Sequence, residues 1–396
     1  MELVVTCEFR FYRTPDQKVW TSSAFLYQFW QRYLTSFERV IAVARIQDVE
    51  TAETNWQLSS GDNVEFVALP YYVGFTGLLR NLAKIRQVIN SVATPERGLI
   101  YRVPSQSAML ASFGRGKQYG YALEVVGDPF DVFNAGITNG LLDKILAWVS
   151  YQGLKSMANN ALGSCYVTKE YLQKRYPVKQ GALSVGCSDI ELPVASFSSG
   201  ARVFTSTGKN IVFVGSFSQL YKGPDLLLRS IAKLKQQGAI YHVTMLGGGL
   251  YLDDMKVLAK SLGCFEQINF VGEVGHKEVI KYLDSADLFA MPSRTEGLPR
   301  ALIEAMARAL PCIASSVGGI PELLADDFLV PSNDWQSLAK SIHRLMSSQE
   351  LLTQASEQNY QCAKTYEYEL LATQREGFYQ SYFQLKKSLY ESSAPS

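Results

Sequence analysis

The sequence predicts an α/β protein with two Rossmann-like domains, each built around a parallel sheet. The chain has 396 residues, which suffices for about two domains of typical size. Short apolar runs alternate with helical patterns along most of it, as expected for parallel strands joined by crossover helices. An aperiodic segment at 188–210, rich in Ser, Pro and Gly, separates two blocks of this kind. We therefore expect domains at 1–195 and 205–365.

The first block opens with a buried strand at 3–5, which a polar and basic stretch at 10–18 follows. Large apolar residues then recur at helical spacing between 26 and 37, which predicts a helix with one aromatic face. The other elements expected in this block are strands at 40–44, 64–69, 99–101 and 122–126 and a helix at 77–91.

The second block alternates more regularly, and a last helical pattern follows it at 366–390. Each apolar run here is short and ends in glycine or polar residues, as expected for buried parallel strands. The expected strands lie at 211–214, 242–246, 268–271, 288–291 and 312–314, and the expected helices at 224–237, 255–262, 277–285 and 300–309.

Composition and charge exclude several classes of protein. The 38 Lys and Arg residues nearly balance the 37 Asp and Glu residues, so we expect no nucleic-acid binding through phosphate neutralisation. The three His residues lie far apart and the six Cys residues include no C-x-x-C pair, which disfavours a metal centre and suits a reducing compartment. Because no apolar run has membrane-spanning length and the N-terminus lacks a signal-peptide pattern, a cytoplasmic location is expected.

The densest group of informative residues lies at 291–304. An expected strand ends there, Glu296 follows in a short loop, Pro299 stands where a helix begins, and Glu304 lies on that helix. Ligands of open parallel sheets bind beyond the carboxyl ends of the strands, and a helix N-terminus favours a phosphate. Two carboxylates at such a place can accept hydrogen bonds from a vicinal diol. The alternative is that Glu296 caps the helix and that Glu304 is solvated.

Two glycine-containing loops follow other strands of the same block. Gly215 would let an anion approach the backbone, and Lys222 would supply a positive charge, although a loop lysine alone is usually solvated. A glycine turn from Gly247 to Gly249 follows the next strand. Because the carboxyl ends of parallel strands share one edge, these loops and the Glu296 loop together predict a nucleotide-diphosphate site.

From about residue 205 to 385 the chain resembles glycosyltransferase family 4. Its full length is similar to the GT-B architecture of that family, in which two Rossmann-like domains face a central cleft. The resemblance rests on the E-x7-E pair Glu296 and Glu304, on the loop with Gly215 and Lys222-Gly223, and on the Val-Gly-Gly-Ile-Pro-Glu turn at 317–322.

The resemblance implies retaining transfer of a sugar from a nucleotide-diphosphate sugar, with UDP or GDP expected as the nucleotide. The implied acceptor is a saccharide or a lipid-linked molecule in polysaccharide or glycolipid biosynthesis, and no metal or other cofactor is implied. The first domain would hold the acceptor and the second the donor. The 366–390 helix would cross back to the first domain.

The resemblance also implies roles for single residues. The position of Glu296 contacts hydroxyls of the donor sugar, that of Glu304 contacts the ribose, and that of Lys222 neutralises the diphosphate. Backbone groups at 297–298 lie against the phosphates and the sugar. The donor-binding residues implied are Gly215, Ser216, Lys222, Gly247, Gly249, Val274, Glu296, Gly297, Leu298 and Glu304, with Glu296 and Lys222 also catalytic.

The sequence departs from the family pattern at two places. Ser216 stands where the family often has an arginine, so half of the usual diphosphate clamp is missing, and Arg294 or Arg300 could replace that charge. In the first domain Gly127 stands where many members have a histidine. On the acceptor side we select Asp128 as a catalytic residue and Arg102 as a cleft residue. The alternatives are a strand-end cap for the aspartate and a structural ion pair for the arginine.

The chain has no D-x-D motif, in agreement with a leaving group stabilised by lysine rather than by a metal. In the implied mechanism, Glu296 holds an oxocarbenium-like sugar and the leaving diphosphate takes the acceptor proton on the same face. Two other functions stay open. One is a GT-B sugar-nucleotide epimerase, and the other is a non-catalytic subunit that binds a nucleotide sugar.

The helix at 77–91 carries three basic side chains. It either packs its apolar face on the sheet or also rests on anionic lipid as an interfacial helix. In the second case the protein would be peripheral to the inner face of the membrane.

Overall fold

A computed structural model describes residues 1–22, 24–112, 118–129 and 141–393. The chain divides into two compact units. The first comprises the described residues of 1–130, 145–187 and 372–396, and the second comprises 188–371 with the described end of 131–144.

The first unit is built on a mainly parallel sheet. Its parallel strands lie side by side in the order β5-β3-β1-β6-β7-β8-β9, and β2 and β4 form an antiparallel extension at the end of β1. The chain moves outward in one direction from β1 and in the other from β6, so the strand order reverses between these two strands. The strands are β1 (Glu2–Arg13), β2 (Val19–Thr21), β3 (Arg39–Asp48), β4 (Gln57–Leu58), β5 (Val64–Leu69), β6 (Gly98–Val103), β7 (Ala122–Val125), β8 (Gly163–Tyr166) and β9 (Leu183–Gly186).

Helices pack against this sheet because its central strands are apolar on both faces. Tyr33, in the turns that follow the first helix, lies with its ring centroid 4.9 Å from that of Tyr379 on the C-terminal helix. The helices of this part of the chain are α1 (Tyr27–Gln31), α2 (Gly74–Val92), α3 (Gln106–Ser112), α4 (Leu141–Asn160), α5 (Tyr171–Arg175) and the long C-terminal helix, named α12 below (Tyr368–Ser393).

A buried carboxylate joins the sheet of the first unit to the helices above it. Glu124 on β7 accepts hydrogen bonds from Arg102 (2.6 Å) and Arg32 (3.0 Å). It also accepts hydrogen bonds from Tyr33 (2.9 Å) and Tyr379 (2.6 Å). Burial raises the pKa of Tyr379 well above its usual value, so its phenol stays protonated and can donate. The network therefore ties β6, β7, the segment after α1, and α12 together.

The second unit has a six-stranded sheet in which every strand is parallel to its neighbours, in the order β12-β11-β10-β13-β14-β15. The order reverses between β10 and β13, as in a Rossmann fold. The strands are β10 (Asn210–Val214), β11 (His242–Leu246), β12 (Ile268–Gly272), β13 (Leu288–Met291), β14 (Cys312–Ser315) and β15 (Leu329–Val330), and the helices are α6 (Pro224–Gln236), α7 (Leu252–Ser261), α8 (His276–Ser285), α9 (Arg300–Ala307), α10 (Trp335–Met346) and α11 (Gln349–Lys364).

The segment between the two sheets belongs to the second unit. Arg202 donates hydrogen bonds to the backbone carbonyls of Leu283 (3.0 Å), Ala286 (2.7 Å) and Arg308 (3.0 Å). The unit boundary accordingly lies at 187/188, before the sequence boundary expected at 195–205, because this aperiodic segment is fastened to α8 and α9. The second boundary lies at 371/372, within α12.

The expected α/β class with two parallel sheets is confirmed, but some elements of the first unit were expected wrongly. The first strand is expected at 3–5, whereas β1 continues to Arg13, into the polar and basic stretch at 10–18, because β3 and β2 pair with its far end. The aromatic pattern at 26–37 predicts one helix, but α1 ends at Gln31. Tyr33 and Phe37 lie in the segment after it and are both buried. No helix in the described ranges is both long and apolar enough to cross a membrane.

We predict that Glu124→Gln lowers the free energy of unfolding by about 3 kcal/mol, because Arg32 and Arg102 would both lose the buried carboxylate that they contact. Urea unfolding followed by circular dichroism measures the change. Glu65→Gln is the matched control, since Glu65 pairs with Arg39 at the surface of the same sheet and should cost less than about 1 kcal/mol. Equal losses in the two variants would contradict the assigned role of Glu124.

Candidate functional site

Two loops meet where the strand order of the second unit reverses. The loop after β10 runs to Gly223, and the loop after β13 runs to Pro299. Arg294 joins them, because its backbone N–H donates to the carbonyl of Tyr221 (2.6 Å) and its guanidinium donates to the carbonyl of Leu220 (2.6 Å). The same guanidinium forms a two-pronged ion pair with Asp225 on α6 at 2.9 and 2.8 Å. The relative position of the two loops is thus fixed by the protein itself.

This arrangement places Lys222 against Glu296. The Lys222 Nζ donates to Glu296 Oε1 at 2.7 Å, and the two side chains are 15% and 7% exposed. Ser293 Oγ donates to the same carboxylate oxygen at 2.7 Å. The structure therefore brings together the two side chains that were selected from different loops of the sequence. Lys222 is not a solvated loop lysine, and Glu296 does not cap the following helix.

The N-terminus of α9 lies next to this pair in the chain. Pro299 precedes the helix, no side chain caps it, and its first turn contains no acidic residue. The backbone N–H groups of Gly297 and Leu298 donate to no group among the described residues. Free N–H groups and the positive end of the helix dipole favour an anion at this place.

The glycine turn at Gly318 and Gly319 packs against the backbone of the Glu296 loop. Gly318 has a φ of +57°, and a Cβ atom there would lie 1.9 Å from the carbonyl oxygen of Glu296. The next residue, Gly319, donates its N–H to the carbonyl of Gly297 at 2.8 Å. The Val-Gly-Gly turn of the sequence motif is therefore required by close backbone approach, and it holds the loop that carries Glu296.

The glycine loops after β10 and β11 touch each other through their backbones. Gly215 donates its N–H to the carbonyl of Leu246 at 3.0 Å, and a Cβ atom on Gly247 would lie 2.0 Å from the Gly215 carbonyl oxygen. Gly249 also approaches the loop after β10 closely, since a Cβ atom on it would lie 2.1 Å from the backbone nitrogen of Ser218. Ser216 is exposed at its surface, where its Oγ accepts the N–H of Ser218 at 3.1 Å. These loops line the strand ends as expected, with a small hydroxyl at the position of the missing arginine.

Glu304 lies on the inner part of α9 and is half-buried. It lines a small recess together with the start of α8 at His276, two residues after the half-buried Val274. Its carboxylate makes no hydrogen bond with any residue that the structure describes. The remaining residues that line the recess are Leu192, Ser196, Val279, Ile280, Leu283 and Arg308.

In the first unit, Asp128 lies three residues beyond β7 and is 3% exposed. Its carboxylate accepts hydrogen bonds from Tyr176 (2.5 Å) and Tyr171 (3.4 Å) and pairs with Arg175. Burial raises the pKa of Tyr176, and the neighbouring Asp128 adds to this shift, so the phenol stays a donor. Asp128 is thus held by structural partners within its own unit, and its catalytic role stays a prediction.

Arg102 lies on β6, where its guanidinium pairs with Glu124. It is 12% exposed, which fits the ion-pair alternative noted from the sequence. Its assignment to the acceptor side likewise stays a prediction. Gly127, in place of the family histidine, lies beside Pro104.

A second carboxylate of the first unit was not selected from the sequence. Glu8, where the order of that sheet reverses, accepts hydrogen bonds from Tyr72 (2.6 Å), Ser105 (2.8 Å) and the N–H of Ser107 (3.1 Å). Burial opposes its charged form, but the Tyr72 hydrogen bond and the Arg45 guanidinium outweigh it and lower the pKa of Glu8. The carboxylate fills the N-terminus of α3. The only sequence signal was an acidic residue three positions beyond the apolar run at 3–5.

The chain is similar in sequence to several known proteins. Residues 199–362 match the family model of glycosyl transferases group 1. The CapJ protein of Staphylococcus aureus is 26% identical over 392 residues, which cover 98% of each chain. The amylovoran biosynthesis glycosyltransferase AmsK of Erwinia amylovora is 36% identical over 133 residues, 31% of this chain and 33% of AmsK.

Two solved structures share the fold over nearly the whole chain. Sucrose-phosphate synthase from Thermosynechococcus elongatus has a TM-score of 0.72 at 16% identity, covering 97% of this chain and all of that one. HepE of Anabaena, solved in complex with UDP, has a TM-score of 0.64 at 14% identity, covering 96% of this chain and all of that one. The chain thus has the GT-B fold, and residues 199–362 of its second unit are similar to glycosyl transferases group 1.

We predict that Gly318→Ala lowers the free energy of unfolding by about 2 kcal/mol or more, because the new methyl group meets a backbone carbonyl at a left-handed φ. Thermal and urea unfolding measure the loss. Gly200→Ala is the matched control in the same unit, since a Cβ atom there would meet no atom within 4 Å. A Gly318→Ala variant as stable as this control would show that the loop relaxes freely.

Proposed function

We propose that this chain is a retaining glycosyltransferase that uses a nucleotide-diphosphate sugar. The observation that carries the proposal is the Lys222–Glu296 pair beside the uncapped N-terminus of α9, at the reversal point of a parallel sheet. A diphosphate needs positive charge and N–H donors, and a sugar needs a fixed hydrogen-bond acceptor. The loop region supplies all three.

The diphosphate is proposed to lie between Lys222 and the N-terminus of α9. There the N–H groups of Gly297 and Leu298 and the helix dipole add to the lysine charge. Arg294 is not the second cation, because it is engaged with Asp225. Arg300, exposed at the first residue of α9, is the remaining basic side chain of this loop.

The sugar and the nucleoside are proposed to bind on either side of the diphosphate. Glu296 accepts hydrogen bonds from sugar hydroxyls, and Glu304 accepts them from the ribose beside the Val274 turn. In support, the first carboxylate is fixed by two donors, and the second lines a recess without a partner among the described residues.

The anomeric configuration is proposed to be retained because the diphosphate leaves from, and the acceptor attacks, the same face of the sugar. The bond between the anomeric carbon and the phosphate oxygen breaks, a bond to the acceptor oxygen forms, and the acceptor proton passes to the leaving diphosphate. Lys222 stabilises the negative charge of the leaving group, so no metal is assigned a role. UDP is our first choice of nucleotide because HepE was solved with UDP. The similarity to AmsK, an amylovoran biosynthesis glycosyltransferase, favours a saccharide acceptor in polysaccharide assembly.

The donor is tested by a thermal-shift panel of UDP-, GDP-, ADP- and TDP-sugars, because a ligand that binds only the folded state raises its stability. NMR of the product made with the best donor should show the anomeric configuration of the donor. An inverted product would refute retention, and free epimerised sugar nucleotide formed without acceptor would refute transfer in favour of epimerisation. Binding without any turnover on a broad acceptor set would favour the non-catalytic subunit.

We predict that Glu296→Gln lowers the transfer rate by at least about 100-fold while the Kd for the free nucleoside diphosphate changes by less than about threefold. The carboxylate contacts the sugar in our proposal, whereas the diphosphate is held by Lys222 and the backbone. Radiolabel transfer and calorimetric titration measure the two quantities. Glu278→Gln, on the exposed face of α8, is the control. A fully active Glu296→Gln enzyme would refute the assignment.

Peripheral contact with an anionic membrane is a second part of the proposal. The exposed face of α2 carries Arg80, Lys84 and Arg86, and the helix contains no acidic residue. On α4, Trp148 is 59% exposed, with Ile145 and Val149 exposed beside it. Basic side chains and exposed aromatic or apolar side chains are each suited to the headgroup region of an anionic bilayer.

We predict that Arg80→Glu/Lys84→Glu/Arg86→Glu weakens binding to phosphatidylglycerol vesicles by at least about 100-fold, at about 1 kcal/mol per lost basic residue. Sedimentation with vesicles measures the affinity, and phosphatidylcholine vesicles should bind weakly in every case. Arg229→Glu/Lys233→Glu/Lys277→Glu, all exposed on the second unit, is the charge-matched control. Equal binding by the two triple variants would refute contact through α2.

A further inference from the structure

Ser293 makes an unusual contact for a serine in a loop. It lies two residues beyond β13, is fully buried, and donates its Oγ hydrogen bond to Glu296 Oε1 at 2.7 Å. Serine in a turn commonly bonds to nearby backbone groups instead. Among the described residues, the Glu296 carboxylate is the only partner of this hydroxyl.

The two oxygens of the Glu296 carboxylate are used differently. Oε1 receives both the Ser293 hydroxyl and the Lys222 ammonium, each at 2.7 Å. No described residue donates to Oε2, and this oxygen is not among the fully buried side-chain atoms without a partner. An ionised carboxylate has about four acceptor positions, so Oε2 keeps free capacity on its accessible side.

The position of Ser293 itself is fixed from both sides. Before it, the Pro292 carbonyl packs against Gly223, and after it, Arg294 is bonded to Leu220, Tyr221 and Asp225. The backbone that carries its hydroxyl therefore stays in place if the carboxylate rotates. Ser293 acts as a fixed donor that selects one orientation of the Glu296 side chain.

We propose that Ser293 is a positioning residue that holds Glu296 Oε1 so that Oε2 points to the donor sugar. This inference rests on the proposed function and deepens it, because it states which carboxylate oxygen serves the sugar. Lys222 can leave Oε1 for the incoming diphosphate, whereas the serine stays. The orientation of the carboxylate then survives donor binding.

The test separates the sugar from the nucleotide. UDP and UDP-glucose are titrated calorimetrically into the full chain, or GDP and GDP-mannose if the donor panel selects guanine. Ser293→Ala and Ser293→Cys should each raise the Kd for the nucleotide sugar about tenfold, the loss expected for a hydrogen bond to a charged group. Both should leave the Kd of the free diphosphate within about twofold. Cysteine fills the volume but donates weakly, so a wild-type Kd in that variant would show that Ser293 only occupies space and would overturn the inference.

A double-mutant cycle tests whether Ser293 acts through Glu296. In the Glu296→Gln background, Ser293→Ala should change the Kd for UDP-glucose by less than about twofold. Ser230→Ala is the control, since Ser230 is also fully buried but donates to the carbonyls of Leu226 and Trp335. A tenfold effect that persists without Glu296, or an equal loss in the control, would overturn the inference. A wild-type chain that binds no nucleotide sugar would instead refute the proposed function.

Discussion

The reversal of strand order between β10 and β13 is the constraint on which the site depends. Neighbouring strands that send their connections in opposite directions leave a gap at their carboxyl ends, which no crossover helix covers. Two loops enter this gap, and the Arg294–Asp225 ion pair fixes them against each other. Lys222 and Glu296, separated by 73 intervening positions in the sequence, meet because the sheet brings these two strand ends together. The glycine turn at Gly318 packs closely against the backbone of the Glu296 loop and fixes its position.

The two units differ in whether their helix N-termini and buried basic side chains are neutralised by carboxylates that belong to the fold. In the first unit Glu8 fills the N-terminus of α3, and Arg32 and Arg102 are bound to Glu124. In the second unit no described side chain caps α9, and Lys222 is paired with the Glu296 carboxylate, which a diphosphate would replace in our proposal. Burying an ion pair costs desolvation energy that the attraction only partly offsets. The net free energy lost when Lys222 exchanges Glu296 for a diphosphate is therefore small. This contrast favours the second unit as the donor site.

Sequence patterns predicted what depends on local chemistry and missed what depends on tertiary pairing. Strands β10 to β14 were predicted because each is a short apolar run that ends in glycine or polar residues, whereas the two-residue strand β15 was missed. The Lys222 loop and the two glutamates were selected because strand ends concentrate ligand groups, and the structure brings Lys222 and Glu296 together, whereas the roles of these residues stay predictions. The length of β1 was missed, since arginines flank Phe11 and Tyr12 at its far end and this segment pairs there with β3 and β2. The partners of Asp128 were missed as well, because Tyr171, Arg175 and Tyr176 reach it from a different crossover.

The same distinction explains why Ser293 and Arg294 carry different roles although they are adjacent. In the sequence both are polar residues after a strand, and the arginine has the more obvious chemistry for a diphosphate. In the folded unit Arg294 forms an ion pair with Asp225 and hydrogen bonds with two backbone carbonyls. Its charge is therefore neutralised away from the position that we propose for the diphosphate. Ser293 has no charge, but its buried hydroxyl reaches the one carboxylate that Lys222 also contacts. In a loop that binds an anion, a neutral donor can orient a carboxylate without competing for the phosphate, which a second buried cation could not do.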